Sequence, residues 1–177
     1  MYHPPRFTNK LALGRDGTVC AMSTSDSVEI RPVERGDVST ILNLYGDALE
    51  SGSDRDSSAN EPWVDSAWDR MMRSGQHLLV AVLGGQVVGT VTLIIQPTLR
   101  HRGAAMAELE NVVVDSNHRG HGVGSKLVQH ALDVARKAGA YKLHLISDVA
   151  TSDAYPFYEG LEFVHTGRGY KRYLLDE

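Results

Sequence analysis

Residues 108–138 read ELENVVVDSNHRGHGVGSKLVQHALDVARKA, a strand pattern followed by a glycine-rich turn and a helix pattern. The run 109–114 is typical of a buried strand, and apolar residues at helical spacing predict a helix over 125–138. The turn, 119–124, contains Gly120, Gly122 and Gly124. A strand, such a turn and a helix direct several backbone N–H groups and the positive end of a helix dipole to one point. The stretch therefore predicts a site for an anion such as phosphate.

Two familiar phosphate motifs do not fit this turn. A dinucleotide-binding G-x-G-x-x-G that started at Gly120 or Gly122 would need a third glycine where Ser125 or Leu127 stands. A P-loop would need a glycine directly before Lys126, where the chain has Ser125. The remaining pattern is R-x-x-G-x-G. Two interpretations stay open: a phosphate-binding turn, or a tight turn whose glycines only allow positive φ.

Composition limits the classes of protein that fit. A chain of 177 residues predicts one domain, and a net charge of −4 argues against a broad nucleic-acid surface. Cys20 is the only cysteine, so no intrachain disulfide can form. No apolar run approaches the roughly 20 residues of a membrane span. The histidines show no metal-ligand pattern, although His118 and His121 are closely spaced. By elimination we expect a cytoplasmic protein without a catalytic metal, a nucleic-acid partner or a membrane association.

The first part of the chain differs from the rest. Residues 1–27 lack sustained periodicity, which predicts a disordered N-terminal tail, with Met22 as an alternative natural start. Residues 28–177 are expected to form a single domain. Apolar alternation and apolar runs predict strands at 28–33, 77–83, 86–95, 109–114 and 141–146, with a closing pair at 163–166 and 169–175. Helical spacing predicts helices at 34–49, 63–73, 125–138 and 154–159. Gly89 inside a strand indicates a bulge or a close backbone approach.

Three segments, taken in order, resemble the GNAT superfamily of acyl-CoA-dependent N-acetyltransferases. The R-x-x-G-x-G pattern at 119–124 is similar to the family's pyrophosphate-binding signature, and the valines at 112–114 are similar to its pantetheine-pairing strand. Residues 157–163 are similar to its C-terminal F-Y-x-x-x-G-F segment. The resemblance spans 28–175. It implies an α+β (α/β) GNAT fold, a mixed and bent central sheet of about six to seven strands flanked by about four helices. Two neighbouring central strands would be splayed apart to admit the cofactor.

The resemblance also implies acetyl-CoA as the cosubstrate. Backbone N–H groups of the turn would hold the pyrophosphate. The residues concerned are Gly120, His121, Gly122, Val123, Gly124 and Ser125. Val112 and Val114 would hydrogen-bond the pantetheine amides as a pseudo-strand pairs with a sheet edge, with Val113 in the same segment. Arg119 would assist with the phosphates, or would be only a surface charge.

Amine attack on a thioester needs a general acid and a base, and the resemblance implies candidates for both. Tyr158 would be the acid, because a phenol can protonate a thiolate of similar basicity. Its alternative role is packing of the short helix, and Tyr155 is a weaker substitute for it. Glu108 and Glu110 match positions that carry carboxylates in family members, and Glu110 is preferred as the base. An unbroken strand would place both on one face, whereas a bulge would separate them.

The implied activity is transfer of acetyl from acetyl-CoA to a primary amine by direct attack on the thioester. The expected partner is a small-molecule amine, and homodimer formation stays open. An amino-sugar phosphate is an alternative substrate, because Asn111 after Glu110 resembles glucosamine-phosphate acetyltransferases. An alternative class is an acetyl-CoA-binding sensor without turnover. Two residues depart from the family pattern: Glu162 stands where glycine is usual, and Thr151 stands where many members have asparagine.

Overall fold

The structure is a computed structural model that describes residues 27–48, 60–147, 154–167, 169, 170, 172 and 174. Of the predicted tail, only Ser27 falls within this part of the chain. The alternative start at Met22 and the unusual residue Thr151 lie outside the described residues.

Five strands form one sheet, in the spatial order in which they follow along the chain. They are β1 Glu29–Pro32, β2 His77–Leu83, β3 Gln86–Gln96, β4 Ala105–Val114 and β5 Ala140–Leu145. Neighbouring strands are antiparallel except for β4 and β5, which run parallel. The mixed sheet with its helices confirms the predicted α+β fold class, with five strands described instead of about six to seven.

Four α-helices accompany the sheet in the described part of the chain. They are α1 Val38–Ala48, α2 Pro62–Ser74, α3 Val123–Lys137 and α4 Ala154–Glu159. All four predicted helices are confirmed, α4 with the predicted ends and the other three with shifted ends. The predicted first turn of α1 is a separate 3-10 turn, Arg35–Asp37, in which the Asp37 carboxylate accepts from the Glu34 N–H at 2.7 Å. The same carboxylate accepts two hydrogen bonds from the Arg31 guanidinium, at 2.7 and 3.0 Å. Asp37 therefore stabilises the connection between β1 and α1.

The predicted closing strand pair accounts for the difference in strand number. Residues 163–166 are described and form no strand, so that prediction was wrong. Phe163 instead closes the turn that follows α4, because its N–H donates to the Tyr158 carbonyl in the last turn of that helix at 3.0 Å. Of residues 169–175, those described are 169, 170, 172 and 174, and none of them lies in a strand.

The sheet is covered by α3 on one face and by α1 on the other. On the α3 face, Leu127, Val128 and Ala131 pack against Leu93 and Leu109, all at most 2% exposed. On the α1 face, a smaller cluster joins Ile41, Leu78 and Val80. Burial of each large apolar side chain contributes about 1.5–3 kcal/mol, so this packing holds α3 against β3 and β4.

Gly89 of β3 lies where the backbone of β4 comes closest. A Cβ atom at this position would be 2.9 Å from the Val113 carbonyl oxygen and 3.2 Å from the Leu127 Cδ1 atom. Both distances are shorter than normal contacts. The predicted close approach is therefore confirmed, and it lets α3 pack closely over β3 next to the β4 backbone.

Candidate active site

The edge of β4 opens partway along its length. The parallel pairing with β5 ends at Leu109 opposite Leu145, yet β4 continues to Val114. On its other side β4 stays paired with β3 as far as Val114, which lies opposite Gly89. Among the described residues, no strand pairs with the β5-side edge of 110–114. This segment therefore offers backbone groups to a further extended chain, as the resemblance implied for the splayed strands.

A β-bulge lies at the point where the edge opens. Thr92 pairs with Glu110 and Thr90 pairs with Val113, so β4 has one more residue than β3 between these pairs. Asn111 takes up the extra length with a φ of 51°. Asparagine tolerates this left-handed conformation better than most residues.

The bulge reverses which side chains of β4 face α3. Ala107 and Leu109 before it, and Val112 and Val114 after it, all pack in the α3-side core. The Asp115 N–H donates to the Val88 carbonyl at 3.0 Å, which directs that backbone group toward β3. By alternation the backbone groups of Val112 and Val114 are directed toward the open edge, whereas those of Val113 face β3.

Both candidate bases lie before the bulge. Glu108 pairs with Ile94 and Glu110 with Thr92 in one uninterrupted register. Their side chains therefore share a face, the one opposite Leu109 and α3. The bulge does not separate them, so the expectation for an unbroken strand is the one that holds.

Tyr45 of α1 reaches this face and was not among the predicted site residues. Burial raises the pKa of its phenol, while hydrogen bonds with the side chains of Thr92, Thr90 and Asn111 act in the opposite direction. Thr90 is fully buried and donates to the Leu79 carbonyl at 3.0 Å. The network therefore connects α1 to the residue that forms the bulge, next to Glu110.

Short local hydrogen bonds shape the turn between β4 and α3. The Asp115 carboxylate accepts from the Asn117 N–H at 2.7 Å, and this bond lowers the pKa of Asp115. Arg119 Nε donates to the Val114 carbonyl at 3.1 Å, so this side chain ties the turn to the end of β4. The His121 Nδ1 atom lies 2.8 Å from the Arg119 carbonyl oxygen. The turn is thus ordered largely by its own side chains.

The N-terminus of α3 lacks a side-chain cap within the described residues. Gly122 is the N-cap residue with a φ of 77°, and the first backbone bond of the helix runs from the Lys126 N–H to the Gly122 carbonyl at 3.1 Å. The N–H groups from Gly122 to Ser125 therefore have no partner inside the helix. A helix of 15 residues also contributes about half a positive charge at this end. The geometry suits an anion, in agreement with the first of the two interpretations of the turn.

A cavity of about 400 Å³ lies between the end of α1 and the β4–α3 connection. Its walls include Val113, Val114 and Arg119 from the predicted site. They also include Leu44 and Asp47 of α1, which were not among the individually predicted site residues. Neither candidate base lines it.

Tyr158 lies on the other side of β4 from the two carboxylates. It packs against the α3-side core with its ring 4.9 Å from Phe157 and 5.7 Å from Phe163. Phe157 in turn lies beside Gly124, where an added Cβ would be 3.3 Å from the Phe157 Cζ atom. Burial raises the pKa of Tyr158, so its phenol stays protonated at neutral pH. The structure thus brings Tyr158 together with the start of α3, and it places the carboxylates across the open edge.

Among the described residues, no group of three or more histidine, cysteine, aspartate or glutamate side chains could hold a metal ion. No helix in the same part of the chain is long and apolar enough to cross a membrane.

Comparison with known proteins gives the class to which this mixed sheet, with its open parallel strand pair and uncapped helix, belongs. Residues 39–163 match the model of the acetyltransferase (GNAT) family. The chain belongs to this family, so the resemblance noted in the sequence is confirmed. It is an N-acyltransferase enzyme, which favours catalysis over the sensor alternative.

Individual relatives cover most of the chain. Glucosamine 6-phosphate N-acetyltransferase of Trypanosoma brucei brucei is 32% identical over 140 residues, covering 77% of this chain and 88% of that protein. Aminoalkylphosphonate N-acetyltransferase of Salmonella typhimurium is 28% identical over 139 residues, covering 77% and 86%. Among solved structures, a transcriptional regulator from Bacillus halodurans C-125 superimposes with a TM-score of 0.77 at 28% identity, covering 84% of this chain and 100% of that one. These matches establish the fold and the general reaction.

Proposed function

We propose that the protein transfers acetyl from acetyl-CoA to a primary amine at the open edge of β4. The observation that carries the proposal is the uncapped start of α3 directly beyond the unpaired edge of 110–114. The pyrophosphate would be held by the N–H groups of 120–125, and pantetheine would pair with Val112 and Val114. Arg119 would hold the end of β4 in place, since its Nε already binds the Val114 carbonyl.

The two faces of β4 supply complementary groups for the reaction. Glu108 and Glu110 face one side, where carboxylates attract an ammonium group and can accept its proton. Tyr158 lies on the other side, where its phenol can give a proton to the departing thiolate. A thioester bound along the edge would lie between the carboxylates and Tyr158. The amine would then lose its proton on one face of β4, and the thiolate would gain a proton on the other.

We further propose that the acceptor amine carries a phosphate or phosphonate group. The T. brucei relative is named for glucosamine 6-phosphate and the S. typhimurium relative for aminoalkylphosphonates. In this chain, exposed Lys142 of β5 lies opposite Met106, on the same face as Glu108. Carboxylates near the open edge and a cation farther along the strand match an acceptor with an ammonium at one end and an anion at the other.

Cofactor binding can be tested with a matched pair of glycine substitutions. Gly122 and Gly139 have φ values of 77° and 75°, and neither has an atom within 4 Å of an added Cβ. Gly122→Ala and Gly139→Ala therefore impose similar backbone strain at opposite ends of α3. In isothermal titration with acetyl-CoA, we expect the dissociation constant to rise about tenfold or more in the first variant, a loss of about 1.4 kcal/mol, and to stay within about twofold in the second. Equal affinities in the two variants would count against a phosphate site at this turn.

The acceptor proposal has a separate test. Lys142→Gln should raise the KM for glucosamine 6-phosphate about tenfold and leave the KM for glucosamine unchanged, because only the first carries the anion. If KM changed equally for both amines, the proposal that Lys142 binds the anionic group of the acceptor would be rejected.

A further inference from the structure

His144 of β5 occupies a distinctive place beside the open edge. It pairs with Glu108 of β4, one residue before the pairing of the two strands ends at Leu109 and Leu145. Leu143 and Leu145 pack in the α3-side core, so the imidazole lies on the opposite face. This is the face that carries both candidate carboxylates. His144 therefore lies where an acceptor amine would reach the end of the paired region.

The surroundings of the imidazole fix which nitrogen carries its hydrogen. The Nδ1 atom lies 3.0 Å from the Ala107 carbonyl oxygen. A carbonyl only accepts hydrogen bonds, so Nδ1 carries the hydrogen and Nε2 of the neutral ring has a lone pair. Nε2 lies 3.6 Å from Glu108 Oε1, and both side chains are partly exposed, by 36% and 22%. A proton that arrives at Nε2 would therefore face a carboxylate that stabilises it.

We propose that His144 is the group that takes the first proton from the acceptor ammonium, with Glu108 stabilising the resulting imidazolium. This inference rests on the proposed function. The ammonium passes one proton to Nε2, directly or through a water molecule, and becomes a neutral amine; the imidazolium later releases that proton to solvent. The amine nitrogen then forms a bond to the thioester carbon, the carbon–sulfur bond breaks, and the second proton of the nitrogen leaves to solvent as the Tyr158 phenol protonates the thiolate. The phenolate regains a proton from solvent, so the net reaction releases one proton.

A structural role for His144 makes a different prediction from a catalytic one. Asparagine has an amide N–H at about the position of Nδ1, so His144→Asn can keep the bond to the Ala107 carbonyl while it removes the proton acceptor. His130→Asn is the matched control, because His130 is a partly buried histidine of α3 outside the proposed site. If His144 were only structural, the two variants would behave alike.

The experiment measures thiol release from acetyl-CoA with glucosamine 6-phosphate and 2-aminoethylphosphonate between pH 5.5 and 9. In His144→Asn we expect kcat at neutral pH to fall about 10²- to 10⁴-fold, with an unchanged KM for acetyl-CoA. The fall in rate toward acidic pH should be lost, and added imidazole should restore part of the rate. On β4 and β5, the other titratable side chains described on this face are Glu108, Glu110 and Lys142, and Tyr45 of α1 reaches the same face.

The possible results separate the two proposals. If the wild type releases no thiol with these two amines or with any other primary amine of a broad panel, the proposed function and this inference both fail. If the wild type is active and His144→Asn keeps its rate and acidic limb, only the inference fails. A measurement on the wild type covers the case in which the variant does not fold: long-range ¹H–¹⁵N correlation should show the hydrogen of the neutral ring on Nδ1. A hydrogen on Nε2 would overturn the proposal.

Discussion

Glu162 provides a prediction whose sign follows from the backbone alone. The residue has a φ of 66° at the end of α4. The Phe163 N–H donates to the Tyr158 carbonyl and the Glu162 N–H donates to the Glu159 carbonyl, both at 3.0 Å. These two bonds define a Schellman motif, in which the left-handed position usually belongs to glycine. The contact between the rings of Phe163 and Tyr158 is the apolar contact that accompanies this motif.

Glu162→Gly should therefore stabilise the protein. A left-handed conformation costs a non-glycine residue about 1–2 kcal/mol, and the greater freedom of glycine in the unfolded chain cancels about 0.5–1 kcal/mol of the gain. The net increase in the free energy of unfolding is about 0.5–1 kcal/mol. In a chain of this size it corresponds to a rise in Tm of about 1–4 °C.

Thermal unfolding of three variants tests the reasoning. Glu159→Gly, at the exposed last residue of α4, should lower the Tm, because the same substitution in a helical conformation only adds entropy to the unfolded chain. Glu162→Ala should change the Tm little, because it keeps the strained φ. A lower Tm for Glu162→Gly than for the wild type would refute the account of this turn.

Three further substitutions test the packing and the charge network. Gly89→Ala should destabilise the protein by about 1–3 kcal/mol in urea unfolding, because its methyl group would lie 2.9 Å from the Val113 carbonyl oxygen. Tyr45→Phe should cost about 1–3 kcal/mol, since it removes the hydrogen bonds of the phenol and leaves the buried Thr92 hydroxyl without this partner. Asp37→Asn should cost about 1–3 kcal/mol at pH 7, because it weakens two hydrogen bonds from Arg31. The Arg31 guanidinium lowers the pKa of Asp37, so this contribution is fully present above the unfolded-state value near 4 and is lost as the pH falls through the folded-state value.

Each of these predictions has a result that would contradict it. Gly36→Ala is the control for Gly89→Ala, because Gly36 has no atom within 4 Å of an added Cβ; equal costs would reject the close approach. Tyr170→Phe is the control for Tyr45→Phe, because it removes an exposed hydroxyl. If both substitutions lowered the free energy of unfolding by the same small amount, the hydrogen-bond network around Tyr45 would be rejected. A stability difference between Asp37→Asn and the wild type that persists unchanged at pH 2 would reject the pKa argument.

The elements with strong apolar periodicity were predictable from the sequence. The spacing of Leu127, Val128 and Ala131 is sufficient to predict α3 because that helix buries one stripe against a sheet. The run of valines likewise predicted the end of β4. The strand predicted at 163–166 was wrong because local alternation cannot show that the Phe163 N–H is used to close α4.

The candidate site was predictable where it depends on local sequence. The turn at 119–124 and its glycines could be selected from spacing alone. The proximity of His144 to Glu108 depends on the register of two strands that are distant in the chain. A hint existed in the alternation of Lys142 and His144 with two leucines, which places both polar residues on the face away from the core. The hydroxyl of Tyr45 gave no such hint, because helical spacing reveals only that the residue faces the sheet.

The most direct test of the central claim is amine-dependent thiol release from acetyl-CoA by the wild-type protein. The open edge of β4 and the uncapped start of α3 predict one thiol released for each N-acetylated product when glucosamine 6-phosphate or another primary amine is supplied. Acetyl-CoA that binds but releases no thiol above the amine-free rate, across a broad panel of primary amines, would contradict the claim.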